Sequence, residues 1–208
     1  MTDPIHSTKS RDNLIFGIGF GALILVLLMG LLWPADSGDG RPERLEVMLS
    51  DVVKTNGLFF LNGEAESFTG VIVDKYESEV TKSRTAIVNG QLQGLSEGWY
   101  SSGQQQIAEN FSAGVANGPR TKWWENGQKQ SEGNVVDGEW EGLFRKWHEN
   151  GVLAQEIPMK RGVAHGLARA WFPSGALKSR VQMRHGEAEK SEFFEDGEVL
   201  NEAEVAAQ

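Results

Sequence analysis

After residue 44 the apolar positions recur as short runs separated by turn residues, and the interval between recurrences is constant. Gly94, Gly118, Gly142 and Gly166 stand 24 residues apart, and Trp99, Trp123, Trp147 and Trp171 each follow five places later. Gly103, Gly127, Gly151 and Gly175 fall nine places after the same glycines, while Gly90, Gly114, Gly138, Gly162 and Gly186 stand four places before the next unit. A fixed period of roughly 20 to 50 residues marks a repeat array, in which each unit buries its apolar positions against its neighbours. Units open at Gly70, Gly94, Gly118, Gly142 and Gly166, and a truncated sixth begins at Lys190. The first has Lys75-Tyr76 in place of the Trp-aromatic pair and Glu79 in place of the turn glycine. The last keeps Phe193-Phe194 and Asp196-Gly197 with its turn two residues early.

Two turn signals alternate within a unit. One is Asn126-Gly127, Asn150-Gly151 and the equivalent Ser102-Gly103 and Ser174-Gly175; the other includes Asn89-Gly90 and Asp137-Gly138. Asn-Gly and Asp-Gly provide the positive φ values of type I′ hairpin turns, so both signals are read as tight tips between antiparallel strands. The expected fold is all-β: a meander of tandem β-hairpin repeats forming an elongated single-layer twisted sheet, preceded by one N-terminal transmembrane helix. Each opening glycine then lies inside a strand, where glycine marks the close approach of a neighbouring ring. The column 17 places into each unit is apolar throughout: Ile87, Phe111, Val135, Met159 and Met183. Two-residue tips place this column and the Trp column on opposite faces, whereas one extra loop residue unites them; both arrangements stay open. Pro158 removes a ladder donor and predicts a local bulge.

Ahead of the array, Leu14 to Trp33 runs for 20 residues without a charge. At about 1.5 Å per residue this spans roughly 30 Å, the thickness of a bilayer core, and it exceeds the apolar stretch of a cleaved leader. The segment is read as a signal anchor. Lys9 and Arg11 directly before it orient the N-terminus toward the cytoplasm and the array toward the periplasm or exterior. Gly17 and Gly21 would let two such helices approach closely. The expected layout is a tail at 1–13, the span at 14–33, a linker at 34–43, an N-terminal cap at 44–69, the array at 70–200 and a tail at 201–208. Within the cap, Asn56-Gly57 and Asn62-Gly63 bracket Leu58-Phe59-Phe60-Leu61, the pattern of short strands with tight turns.

The formal net charge of −9 argues against nucleic acid, whose phosphates require clustered Lys and Arg, and against an anionic lipid surface. With no Cys there is neither a disulfide framework nor thiolate chemistry. His6, His148, His165 and His185 occupy different places in the register, so no metal site is expected, and no glycine run has the strand–loop–helix context of a phosphate cradle. No enzymatic activity and no cofactor are anticipated.

Residues common to every unit are explained by folding, so binding is sought where units differ. Arg120, Lys122, Arg145, Lys146 and Arg169 form basic columns that would meet an acidic partner or an anionic glycan, or would pair with Glu125, Glu132, Glu149 and Glu156 across strands. Tyr100, Trp124, His148 and Phe172 form the second candidate column, suited to stacking.

The register Gly-x4-Trp-aromatic-x2-Gly-x10-Gly-x3-Gly, as in Gly142 to Gly166, resembles the MORN repeat in its second bacterial variant. Ser67-Phe68-Thr69-Gly70 is similar to the opening of such arrays, and the resemblance covers about residues 56–200. It implies a non-catalytic scaffold or binding surface. Some proteins of this kind carry the label of an antitoxin, which implies an inhibitor if the array is cytoplasmic. Gly98-Trp99-Tyr100 resembles choline-binding cell-wall repeats, whose tandem spacing is shorter, and implies a glycan ligand. The resulting expectation is a membrane-anchored scaffold for an unidentified protein partner at the cell envelope, with a glycan as the alternative.

Overall fold

The computed structural model describes residues 45–197. The anchor at Leu14–Trp33, its flanking tail and linker, and the tail at 201–208 lie outside the described residues. Among the described residues no helix is long and apolar enough to cross a membrane.

The chain forms β1 (Glu46–Met48), one turn of 3-10 helix at Leu49–Asp51, β2 (Val52–Thr55), β3 (Leu58–Leu61) and β4 (Gly70–Lys75). There follow β5 (Thr81–Val88), β6 (Gln91–Trp99), β7 (Gln105–Ser112), β8 (Val115–Trp123), β9 (Lys129–Val136) and β10 (Glu139–Trp147). The last are β11 (Leu153–Lys160), β12 (Val163–Ala164), β13 (Gly166–Trp171), β14 (Leu177–Arg184) and β15 (Glu187–Phe193). From β4 to β15 each strand pairs antiparallel with the next, the short β12 pairing with β11 beside β13, as one open meander. The hairpin array read from the 24-residue period is therefore present.

The N-terminal end departs from a plain meander. β1 joins the sheet parallel to β4, with Val47 opposite Ile72, and β2–β3 form a separate hairpin with an Asn56-Gly57 tip. The hairpin adds a second layer there, because Val52, Phe59 and Leu61 pack on Phe68, Ile72 and Ile87. Main-chain bonds from Phe59 N to Gly90 O (2.9 Å) and from Gly90 N to Phe68 O (2.7 Å) dock it on the first inter-unit turn.

The two turns of a unit differ: only one is the type I′ tip expected at both, and the loop length left open by the sequence is two residues at one turn and three at the other. Asn89-Gly90, Ala113-Gly114, Asp137-Gly138, Arg161-Gly162 and His185-Gly186 all take positive φ at both residues, as type I′ requires. The other tip has three residues. Gly103 N–H donates to Tyr100 C=O and Tyr100 N–H to Gln104 C=O, both at 2.9 Å, and only the glycine has positive φ. Asn126 and Asn150 keep ordinary φ here because Oδ1 of each accepts the N–H two residues on, from Gln128 at 2.9 Å and Val152 at 3.1 Å.

This tip also settles the faces. Trp99 opposes Gln105 while Gly98 opposes Ile107, so Gln106 is an extra residue. The third loop residue reverses the side-chain alternation and this bulge residue reverses it back. Cross-strand partners share a face and neighbours along a strand alternate. Gly94, Gly98, Ile107 and Phe111 thus share one face, and Trp99 points to the other.

Among the opening glycines the expected close ring approach is found at Gly70, where an added Cβ would fall 2.6 Å from Phe68, whereas others have a different cause. Gly94 and Gly142 have φ of +85° and +82°, and an added Cβ would meet nothing within 4 Å. They serve a recurrent bulge, in which Asn110 stands opposite Asn117, Gly118 and Pro119, and Ala86 opposite Gln93, Gly94 and Leu95. Pro158 occupies the equivalent place, where His165 N–H donates to its C=O at 2.9 Å. The predicted bulge is there, but it belongs to every unit and owes nothing special to proline. Close ring approach occurs also at Gly133, inside the second strand of its unit, where a Cβ would fall 2.9 Å from Trp140 and 3.0 Å from Phe144. Gly142→Ala is accordingly expected to cost about 1–2 kcal/mol through φ alone, with tertiary contacts unchanged. Gly133→Ala must displace two rings and should also alter the near-ultraviolet circular dichroism; identical spectra for the two variants would contradict this assignment.

Candidate functional site

The column Tyr100, Trp124, His148, Phe172 proves to hold adjacent units together. Tyr76 and Tyr100 hydroxyls donate to the Trp99 and Trp123 carbonyls at 2.8 and 3.0 Å. Trp124 Nε1 donates to Trp147 C=O at 3.2 Å, and His148 Nε2 bonds Trp171 C=O at 2.9 Å. A carbonyl only accepts, so this nitrogen of His148 carries the hydrogen. Tyr, Trp and His differ as rings but share a terminal donor, which is what the position demands. Phe172 lacks one and ends the series, with the Lys178 ammonium 5.4 Å from its ring centre. The turns repeat this 23-residue stitch, since Asn126 and Asn150 Nδ2 donate to Glu149 C=O and Pro173 C=O at 2.8 Å each.

The five basic candidates separate onto two faces. Arg145 and Arg169 share a face with Thr121, Glu132, Glu156, Arg180 and Glu192, which stand in a row directly opposite one another across successive strands. Glu156 meets Arg145 at 3.0 Å and Arg169 at 3.5 Å, and Arg145 also meets Glu132 at 3.5 Å. At the end of the row, Arg180 meets Glu192 at 2.7 Å. A Lys190 hydrogen bond, together with the Arg180 charge, holds the Glu192 carboxyl below its ordinary range. This ion-pair face satisfies its charges internally. Glu125 and Glu149 sit in the turns and take no part.

Arg120, Lys122 and Lys146 lie on the opposite face. Arg120 is held by Glu109 at 2.5 Å and by the Trp140 ring, 5.4 Å from its guanidinium carbon. Lys122 and Lys146 have no carboxylate partner among the described residues. Both stand directly across from Ser131, one from each side. Around them a groove of about 680 Å³ opens over β8 to β14. Trp124, Trp140, Phe144 and His148 contribute to its walls, Arg120, Lys122, Lys146 and Lys178 are its charged residues, and no Asp or Glu lines it.

Trp140, Phe144 and Lys178 were missed in the sequence because they fall outside the recurring columns. The same register places hold Ala116 and Arg120 one unit earlier, and Ala154 precedes Lys178 by 24 residues. Their irregularity was the available signal. Trp140 and Phe144 stack with ring centres 4.7 Å apart at 49°. The structure also brings together two histidines that the register had separated, His165 and His185, with ring centres 5.4 Å apart. The reason is a 20-residue contact between the residue before an opening glycine and the next type I′ tip; elsewhere Gln93 caps Ala113 N–H and Glu141 caps Arg161 N–H by the same route, both at 2.8 Å. Among the described residues no cluster of three or more His, Asp or Glu is arranged to hold a metal ion.

A search of curated proteins returns no match to the chain. A sequence-family model described as a MORN repeat variant matches residues 116–137 and 140–161, the two stretches that contain Lys122, Trp124, Trp140, Phe144 and Lys146. Repeats of this kind are commonly protein- or membrane-interaction repeats and are generally non-catalytic.

Proposed function

We propose that this chain is a non-catalytic binding scaffold: Leu14–Trp33 anchors it in a membrane, and the array outside the cytoplasm engages a protein partner through the groove between β8 and β14. The observation that carries this reading is the contrast between the faces. On a protein of net charge −9, one groove gathers four cations and several rings without a carboxylate in its lining, while the opposite face neutralises its charges with its own residues. Arg120 is paired with Glu109, but Lys122, Lys146 and Lys178 have no carboxylate partner among the described residues, and like charges so close together are unfavourable in the free sheet and are relieved by an anionic ligand.

A photo-crosslinking residue placed at Lys122 in the intact cell is expected to give one discrete adduct, and the same residue at Thr121, on the ion-pair face, to give none. Equal labelling from both positions would remove the groove from the reading. Orientation is tested separately: alkaline phosphatase fused after Gln208 should be active, and a well-expressed but inactive fusion would put the array in the cytoplasm and favour an antitoxin-like inhibitor.

A further inference from the structure

The floor of the groove is a straight row. Lys122, Ser131, Lys146, Gln155, Ala170 and Ser179 stand opposite one another on six successive strands of the sheet, from β8 to β14. Neighbouring strands lie about 4.8 Å apart, so Lys122 and Lys146 are attached to the sheet roughly 9.6 Å apart along a line perpendicular to the strands, and the Lys146 ammonium lies 5.7 Å from the centre of the Phe144 ring. A ligand that follows this row crosses the strands and meets a lysine in each of two consecutive units, with Ala170 at the equivalent place in the third.

Resting on the binding reading above, we infer that the groove takes an acidic peptide segment in the extended polyproline II conformation, with one carboxylate at every third residue. Such a chain rises about 3.1 Å per residue with threefold symmetry, so every third side chain returns to one line after roughly 9.3 Å, close to the spacing of the two lysines. Its two intervening side chains point to the groove walls, where Trp140 and Phe144 on one side and Trp124 on the other provide apolar rings. Aromatic-lined grooves suit this conformation because it is already extended and loses little freedom on binding. The polar complement agrees. Lysine and arginine only donate, and carboxylates only accept. A polysaccharide presents hydroxyls that also donate, and the groove meets these with few acceptors, chiefly Gln130, Ser131, Gln155 and Ser179. A regular β-strand ligand fits less well, because its residues i and i+3 face opposite sides. Arg120 is excluded as a ligand contact, since Glu109 and the Trp140 ring already hold it.

The full chain in dodecyl maltoside micelles, titrated against a fluorescein-labelled peptide of tandem Glu-Pro-Leu repeats, should show saturable anisotropy. Lys122→Ala and Lys146→Ala should each weaken it about tenfold, as expected for loss of one charge-assisted hydrogen bond. Lys75→Ala, outside the groove, should leave it unchanged. A peptide of Gln-Pro-Leu repeats should fail to bind, and one with glutamates every fifth residue should bind no better than a single lysine variant. The proposal is overturned if the Lys122→Ala, Lys146→Ala double variant, shown folded by circular dichroism, binds as well as the parent. It is equally overturned if Lys75→Ala is as damaging, or if an oligogalacturonate binds the groove and the peptide does not. Where no acidic peptide binds yet the Lys122 crosslink in cells persists, the scaffold reading stands and only this partner chemistry fails.

Discussion

Ile87→Ala is expected to lower the unfolding free energy by about 2–5 kcal/mol, the range for truncating a fully buried isoleucine. Ile87 has no exposed surface, whereas the equivalent Phe111, Met159 and Met183 are only half-buried. It is the point at which the β2–β3 hairpin, Phe68 and the first strands of the array meet, and Val52, Phe59, Leu61 and Leu92 close around this cluster. Stability in an array is carried between neighbours, so the loss should be local. Amide exchange should accelerate in β2 to β6 well before β13 to β15 respond. A loss under about 1 kcal/mol, or uniform acceleration along the array, would show that the cap does not hold its first units in this way.

Glu156→Lys should have the next largest effect. Glu156 sits between Arg145 and Arg169, and Arg169 in turn stands opposite Arg180. The substitution removes two ion pairs and sets four cations side by side on β10, β11, β13 and β14. Cross-strand charge pairs contribute about 0.2–1 kcal/mol each, and like charges directly opposite reverse the sign. Two attractions lost and two repulsions gained therefore give a destabilisation of about 1–4 kcal/mol, reduced by solvent because these side chains are about one-fifth to two-fifths exposed. Glu156→Gln should cost less than half as much. High salt should recover part of the Glu156→Lys loss and little of the Glu156→Gln loss, because only the former contains strong repulsion. A Glu156→Lys protein as stable as the parent would mean that this row contributes nothing to the sheet.

The two variants probe parts of the molecule that were legible to different degrees. The hairpin units were visible because turn glycines obey a backbone rule that does not depend on distant contacts: Gly90, Gly114, Gly138, Gly162 and Gly186 all take the positive φ their tips require. The ion-pair row was half visible, since strand alternation allowed Arg145 and Arg169 to meet Glu132 and Glu156 but could not exclude Glu125 and Glu149. The ring column has a structural role that the sequence does not show, beside the place of Trp124 and His148 in the groove lining. Tyr100, Trp124 and His148 looked like variation on a surface, yet each delivers a donor to a carbonyl 23 residues further along. Nothing in the identity of a ring states where its hydrogen points.

The sequence by itself determined the repeat length, the all-β class, the glycine-dependent turns and the supply of cations, because these follow from local backbone preference and from composition. Only the tertiary structure decided which of those cations lack a carboxylate partner among the described residues. A bulge residue after the three-residue tip restores the alternation that the loop had reversed, and that parity sends Arg145 and Arg169 to one face and Lys122 and Lys146 to the other. One residue of register separates a neutralised row from an open cationic groove, and register is a property of paired strands.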